Sequence, residues 1–186
     1  INYTDKEIMK GDIAEAKLFN PDFIIANMHW GLEYERIPSR EQRELADWLM
    51  RKGVDLVIGS HPHVVQPMEL RRGKEGVTDR LVVYSLGNFI SNMSREHTDG
   101  GVMVKVVLGR KGLRRYIVSA QYSLIYSSRY KNEQGKEDIR VVPAASWSGK
   151  NQNSSFSVDS ALIKYVNNTR LFLKGNNKEV EEYIFE

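Results

Sequence analysis

A chain of 186 residues is long enough for one domain with a real core and short for two full ones. Its 27 basic and 24 acidic residues leave a formal net charge of +3, too small and too scattered for a nucleic-acid surface. Cysteine is absent, which excludes a disulfide framework, a thiol nucleophile and a thiolate metal site.

The chain starts at Ile1 and not at Met, so it is expected to be part of a longer polypeptide, and the lack of a visible signal peptide carries little weight. No run approaches the roughly 20 apolar residues of a membrane span. "INYTDKEIMKGDIAEAKLF" predicts an amphipathic helix, with Thr4 and Glu7 as a capping box and Ile8, Ile13, Ala16 and Leu18 as its apolar face. Gly11-Asp12 then falls inside that helix and is not a metal-binding strand end. "DFIIANM" (22–28) reads as a short strand buried on both faces. After a polar loop over 31–38, Ser39 and Gln42 form a second capping box opening the helix "SREQRELADWLMRK", which Gly53 stops. "VDLVIG" (54–59) is the next buried strand.

Strand, helix, strand with short links is a βαβ unit with parallel strands. "MHWGLEY" and "GSHPHV" each follow one of its strands, so His29, His61 and His63 share the carboxyl edge of one sheet. Ligands bind at that edge in open α/β sheets. Pro62 pushes His61 towards an extended conformation, in which His61 and His63 would point to the same side. An H-x-H pair can hold zinc, manganese or iron, or it can be two polar residues in a turn. His29 could bind a metal or satisfy a backbone carbonyl while Trp30 packs the loop. Glu33 could return to the same site past the turn that Gly31 permits, or face solvent.

Further on, "QPMELRRG", "RLVVYSLGNFI", "GGVMVKVVLGR" and "GLRRYIVSAQYSLIY" predict a largely antiparallel second sheet. The basic clusters "ELRRGK" and "LGRKGLRRY" sit at its turns, and Asn88 in "YSLGNF" reads by itself as a turn residue. His97 reads as a surface loop residue. Residues 127–156 are polar, ending in the Ser/Asn-rich "SWSGKNQNSSFS", and predict a loop. "SVDSALIKYVNNTRLFLKG" predicts a closing helix capped by Ser157 or Asp159, and "NNKEVEEYIFE" a short tail helix. There is no G-x-S-x-G elbow, Walker loop or dinucleotide fingerprint. Neither histidine segment supplies the bridging Asp that a two-metal hydrolase uses.

In this order, "MHWGLEY", "ADWLMRKGVDLVIGSHPHVVQPMEL" and "VVYSLGNFI" resemble the bacterial capsule-synthesis family called CapA, the poly-γ-glutamate capsule biosynthesis family. Its fold is like that of the calcineurin-type metallophosphatases. The likeness runs from about residue 10 to about 108, and more loosely to Pro143. It implies an α/β fold: the C-terminal part of an αββα metallophosphatase-like sandwich, a parallel βαβ unit followed by a largely antiparallel sheet. Residues 1–145 would belong to that domain, and 146–186 would be a linker loop and helices packing on it.

The resemblance further implies that His29, His61 and His63 ligate divalent metal (Mn, Zn or Fe), in a dinuclear centre in the full-length protein. His29 and Glu33 would act in catalysis, and Trp30, Gln66 and Asn88 would shape the substrate pocket. The family's G-D strand end, N-x-E segment and Asn-His pair are missing here. Half the ligands are therefore expected from an N-terminal segment of the same protein or from another copy. The implied activity is a metal-dependent hydrolase or transferase acting on a phosphate ester or a γ-glutamyl amide of an anionic polymer. The alternative is a non-catalytic binding or assembly component of a capsule or envelope polymer export system. The expected setting is the bacterial cell envelope, beside membrane-associated capsule machinery.

Overall fold

The computed structural model describes residues 4–73, 79–145 and 160–184. Helix α1 (Lys6–Leu18) leads to strand β1 (Ile25–His29), helix α2 (Arg40–Lys52) and strand β2 (Leu56–Ser60). β1 and β2 run parallel with His29 level with Ser60, which is the expected βαβ unit. There follow β3 (Met68–Arg71), β4 (Arg80–Val83), β5 (Gly100–Lys111), β6 (Arg114–Lys131), β7 (Glu137–Pro143), α3 (Ser160–Asn176) and β8 (Glu181–Glu182).

The first sheet has the order β1-β2-β4-β3, with β4 parallel to β2 and β3 antiparallel to β4. The second is the antiparallel β5-β6-β7, with β8 lying parallel beside β6. "QPMELRRG" and "RLVVYSLGNFI" therefore belong to the first sheet and not to the second. The reason is burial: Leu81, Val82 and Val83 are covered on both faces, as a central strand beside a parallel neighbour requires.

One face of the first sheet carries Val57, Val82 and Tyr84 against Met9, Ile13, Leu45 and Leu49 of the two leading helices. The other face carries Leu56, Leu81 and Val83 into a second core. That core is shared with Val102 and Leu124 of the second sheet and with Leu162, Val166 and Leu173 of α3. The chain is thus a mixed α/β sandwich with a parallel-containing sheet and an antiparallel one.

Some local expectations change. The α1 cap is Asp5, not Thr4: its carboxylate accepts from the Glu7 and Ile8 N–H groups at 2.8 and 3.2 Å. Only the stripe through Met9 and Ile13 is buried, while Ile8 and Leu18 face solvent. β1 is not buried on both faces. It alternates exposed and half-buried residues, and Ile25 is 52 % exposed, because β1 is an edge strand among the described residues. α2 begins and ends as expected, with both capping-box bonds formed and Gly53 left-handed at φ 103°.

The stretch from residue 127 is not a loop: β6 continues to Lys131 and β7 returns along it, Ile125 level with Pro143. The predicted tail helix is instead a turn and β8, since the Lys178 N–H and carbonyl bond to Met68 and Leu70 and hold the chain extended. The Ser/Asn-rich stretch and the caps Ser157 and Asp159 lie outside the described residues.

Candidate active site at the carboxyl edge of the first sheet

β1, β2 and β4 all end at the same edge, so the segments that follow them are neighbours without being close in sequence. His29 is the last residue of β1 and is exposed. His61 and His63 follow β2 directly. Asn88 follows β4, in a turn held by a Leu86 N–H bond to the Gly59 carbonyl at 3.0 Å. The His29 and His61 ring centroids are 4.5 Å apart, tilted by 48°, and those of His61 and His63 are 6.2 Å apart.

The backbone reaches this arrangement differently from the proline rule. His61 has φ 102° and His63 φ 60°, so neither is extended. Such angles cost about 1–3 kcal/mol each for residues with a Cβ and persist only where surrounding bonds over-determine them. Here Trp30 N–H bonds to the Ser60 carbonyl at 3.1 Å and Tyr34 N–H to the Pro62 carbonyl at 2.8 Å, while Val65 bridges Leu86. The two loops fix each other, and Tyr34 is itself left-handed at φ 68°.

His63 is the best-defined ring. Its Nδ1 lies 3.0 Å from Asn88 Oδ1. The Asn88 Nδ2 must donate to the Thr98 carbonyl, also at 3.0 Å, which turns Oδ1 towards the imidazole. Nδ1 is therefore the protonated nitrogen, and the Nε2 lone pair is left for a ligand or a proton. The Tyr34 and His63 ring centroids are 6.2 Å apart and the rings stack at 29°, and the Arg95 guanidinium lies 4.0 Å from the Tyr34 ring centroid. "HWGLEY" contains Tyr34, but nothing in its spacing separates it from the other loop residues. Arg95 carries no signal before the fold brings it there.

The remaining sequence candidates divide by burial. Glu33 is on the exposed loop. Trp30 is 5 % exposed, and its indole N–H donates to the Tyr84 carbonyl at 2.8 Å. Gln66 is fully buried: its Nε2 donates to the Glu35 carbonyl at 2.8 Å, and its Oε1 accepts from Gln42 Nε2 at 2.9 Å. These bonds hold the histidine loop against α2. Gln42, predicted only as a cap residue, is thus also a support of the site.

Metal chemistry asks for three or more donors around one point. Among the described residues no such group of His, Cys, Asp or Glu is close enough to hold an ion. His29, His61 and His63 do not by themselves form such a group.

Residues 1–93 match the family described as "Bacterial capsule synthesis protein PGA_cap". The chain belongs to that family. It is 35 % identical over 115 residues to "PGA biosynthesis protein CapA" of Bacillus subtilis (strain 168), covering 62 % of this chain and 28 % of the relative. To "Capsule biosynthesis protein CapA" of Bacillus anthracis it is 35 % identical over 107 residues, 58 % of this chain and 24 % of the relative. The match to these PGA_cap relatives thus spans about a quarter of their length. The residues matched to the family include all of His29, His61, His63 and Asn88.

Proposed function

We propose that this protein supplies the imidazole side of a metal-dependent hydrolase or transferase in capsule biosynthesis, acting on a phosphate ester or a γ-glutamyl amide. The observation that carries this reading is His63, oriented by Asn88 and with no partner at Nε2 among the described residues, beside the His29–His61 pair. A ring whose other nitrogen is fixed by a neighbouring acceptor is the usual state of a metal-bound histidine. A divalent ion, when bound, would polarise the scissile group and lower the pKa of a water.

The chain's own residues do the rest. Asn88 sets the His63 tautomer, and Tyr34 limits the ring's rotation. His29, exposed at the strand end, is placed to pass a proton to a leaving group, with Glu33 on the adjoining loop as its carboxylate candidate. In this reading the carboxylate ligands would come from an N-terminal segment of the same protein or from another copy. The edge of β1, unpaired among the described residues, supports this, because exposed Ile25 and a groove of about 780 Å³ lined by Met9, Ile13, Ala26 and Met28 run beside it. An open strand edge of this kind is normally paired or covered.

The test is metal content of the full-length protein after desalting. Wild type should retain Mn, Zn or Fe, His61→Ala with His63→Ala should lose it, and Asn88→Leu should weaken it by about 10-fold or more. Equal metal in all of them overturns the reading. A non-catalytic assembly role is favoured by the lack of a closed donor set among the described residues. It would be recognised by the lack of any EDTA-sensitive phosphatase or γ-glutamyl hydrolase activity in the full-length protein.

A further inference from the structure

Beyond the histidine edge lies a second concavity, a pocket of about 410 Å³ between the loop 94–99 and one face of α3. Ala161, Lys164, Tyr165 and Asn168 line it from the helix at the spacing of a single helical face. Arg95 and His97 line it from the loop. Two contacts link the loop that lines it to the histidines. Arg95 covers the Tyr34 ring that stacks on His63, and Asn88 ties the Thr98 carbonyl to His63 Nδ1.

Arg95 and Lys164 face Glu96 and Asp99 across this pocket, and neither cation is held in a buried ion pair among the described residues. Arg95 has no carboxylate partner among the described residues and is held only over an aromatic face. Lys164 pairs with Glu96 at 3.4 Å, but both side chains are about two-thirds exposed, where such a pair adds little and exchanges readily. Arg36, within electrostatic reach of His97, Tyr165 and Glu96, lies 3.8 Å over the Phe172 ring. Its Nε is buried with no hydrogen-bond partner among the described residues. A desolvated guanidinium acts over a longer range than an exposed one. The opposing charges are Glu96 and Asp99, both at the pocket.

We infer that this pocket is the oxyanion subsite of the histidine site, binding a carboxylate or phosphate group of the substrate. Arg95 and Lys164 contact the anion, and the Arg36 charge acts on it at longer range. Glu96 holds Lys164 in place until the ligand displaces it. The inference rests on the reading of the histidine edge as the reaction site. A γ-linked glutamate chain carries a free carboxylate on every unit, and one of these is the group this pocket would take. A phosphate ester would place its phosphate oxygens there.

The experiment is a titration of the metal-free protein with inorganic phosphate and, separately, with a γ-linked glutamate trimer, following the ring signals of His97 and His63. A saturable shift at His97 is expected with at least one probe, and which probe binds assigns the oxyanion. Arg95→Ala and Lys164→Met should each weaken it about 10-fold, and Glu96→Gln should strengthen it several-fold, an effect that damage to the fold would not produce. His61→Ala with His63→Ala should leave it within about twofold. No saturable shift, or a shift indifferent to both Arg95→Ala and Glu96→Gln, overturns the inference while leaving the metal test untouched. Anion binding in a full-length protein that retains no metal keeps the pocket and overturns the reading of the histidines.

Discussion

Gly59 shows how tightly single atoms are held at the site edge. A Cβ placed there would stand 2.0 Å from the Tyr84 carbonyl oxygen and 2.4 Å from the Trp30 indole nitrogen. Those two atoms are hydrogen-bonded to each other, so neither can retreat without leaving a buried polar group unpaired. Gly59→Ala should therefore destabilise the protein by about 3 kcal/mol, the upper end of overpacking costs. A denaturant midpoint unchanged from wild type would show that the Trp30–Tyr84 bond is not formed. The sequence presents Gly59 only as the end of an apolar run. Its role depends on Trp30 and Tyr84, which come from two other segments. The same holds for His61: its position before Pro62 predicts extended backbone, yet tertiary bonds impose φ 102°. Local rules fail there because the loop is fixed by its neighbours and not by its own propensity.

At the scale of elements, α2 was the most legible, because its cap, its stop and its buried stripe are all written locally. It also carries more than a helix. Gln42 Oε1 accepts from Ser39 N–H at 2.9 Å while Nε2 donates to the buried Gln66 at 2.9 Å. Ser39→Ala removes a cap alone and should cost about 1 kcal/mol. Gln42→Ala removes a cap bond and also orphans a buried acceptor, so it should cost about 2–3 kcal/mol. It should also loosen the 31–38 loop, where Gln66 bonds the Glu35 carbonyl. Equal losses for the two variants, measured by urea unfolding, would separate the helix from the loop. The elements that the sequence concealed are those whose partners are remote. β7 is an edge strand of mixed burial and lacks the alternation that marks a half-buried strand. "NNKEVEEYIFE" has good helix formers, but pairing with β3 and β6 outweighs propensity, which is a weak prior.

For the molecule as a whole, the two sheets are joined by charge as well as by apolar packing, and Asp79 is the clearest junction. It precedes β4 of the first sheet. Its carboxylate accepts from Gly73 N–H at 2.9 Å, from Ile117 N–H of β6 at 3.1 Å and from Arg72 Nη1 at 3.1 Å. Arg72 also reaches the Ile117 carbonyl at 2.6 Å and Glu179 beyond α3 at 3.0 Å. Burial by itself would raise the Asp79 pKa, but the two backbone donors and the guanidinium outweigh it and hold the carboxyl below its ordinary value. A carboxyl lowered in the folded state binds fewer protons there than in the unfolded chain. Its stabilisation is present in full above the ordinary carboxylate pKa of about 3.9 and is lost as pH falls through the lowered folded value. Asp79→Asn should accordingly cost about 2 kcal/mol at pH 7, since it removes the charge and one acceptor from three donors. The gap between wild type and variant in urea unfolding should narrow as pH falls below about 3.9, as protonation makes the wild-type group neutral too. A gap that stays constant down to pH 2.5 would mean that Asp79 serves packing alone and that charge does not join the sheets.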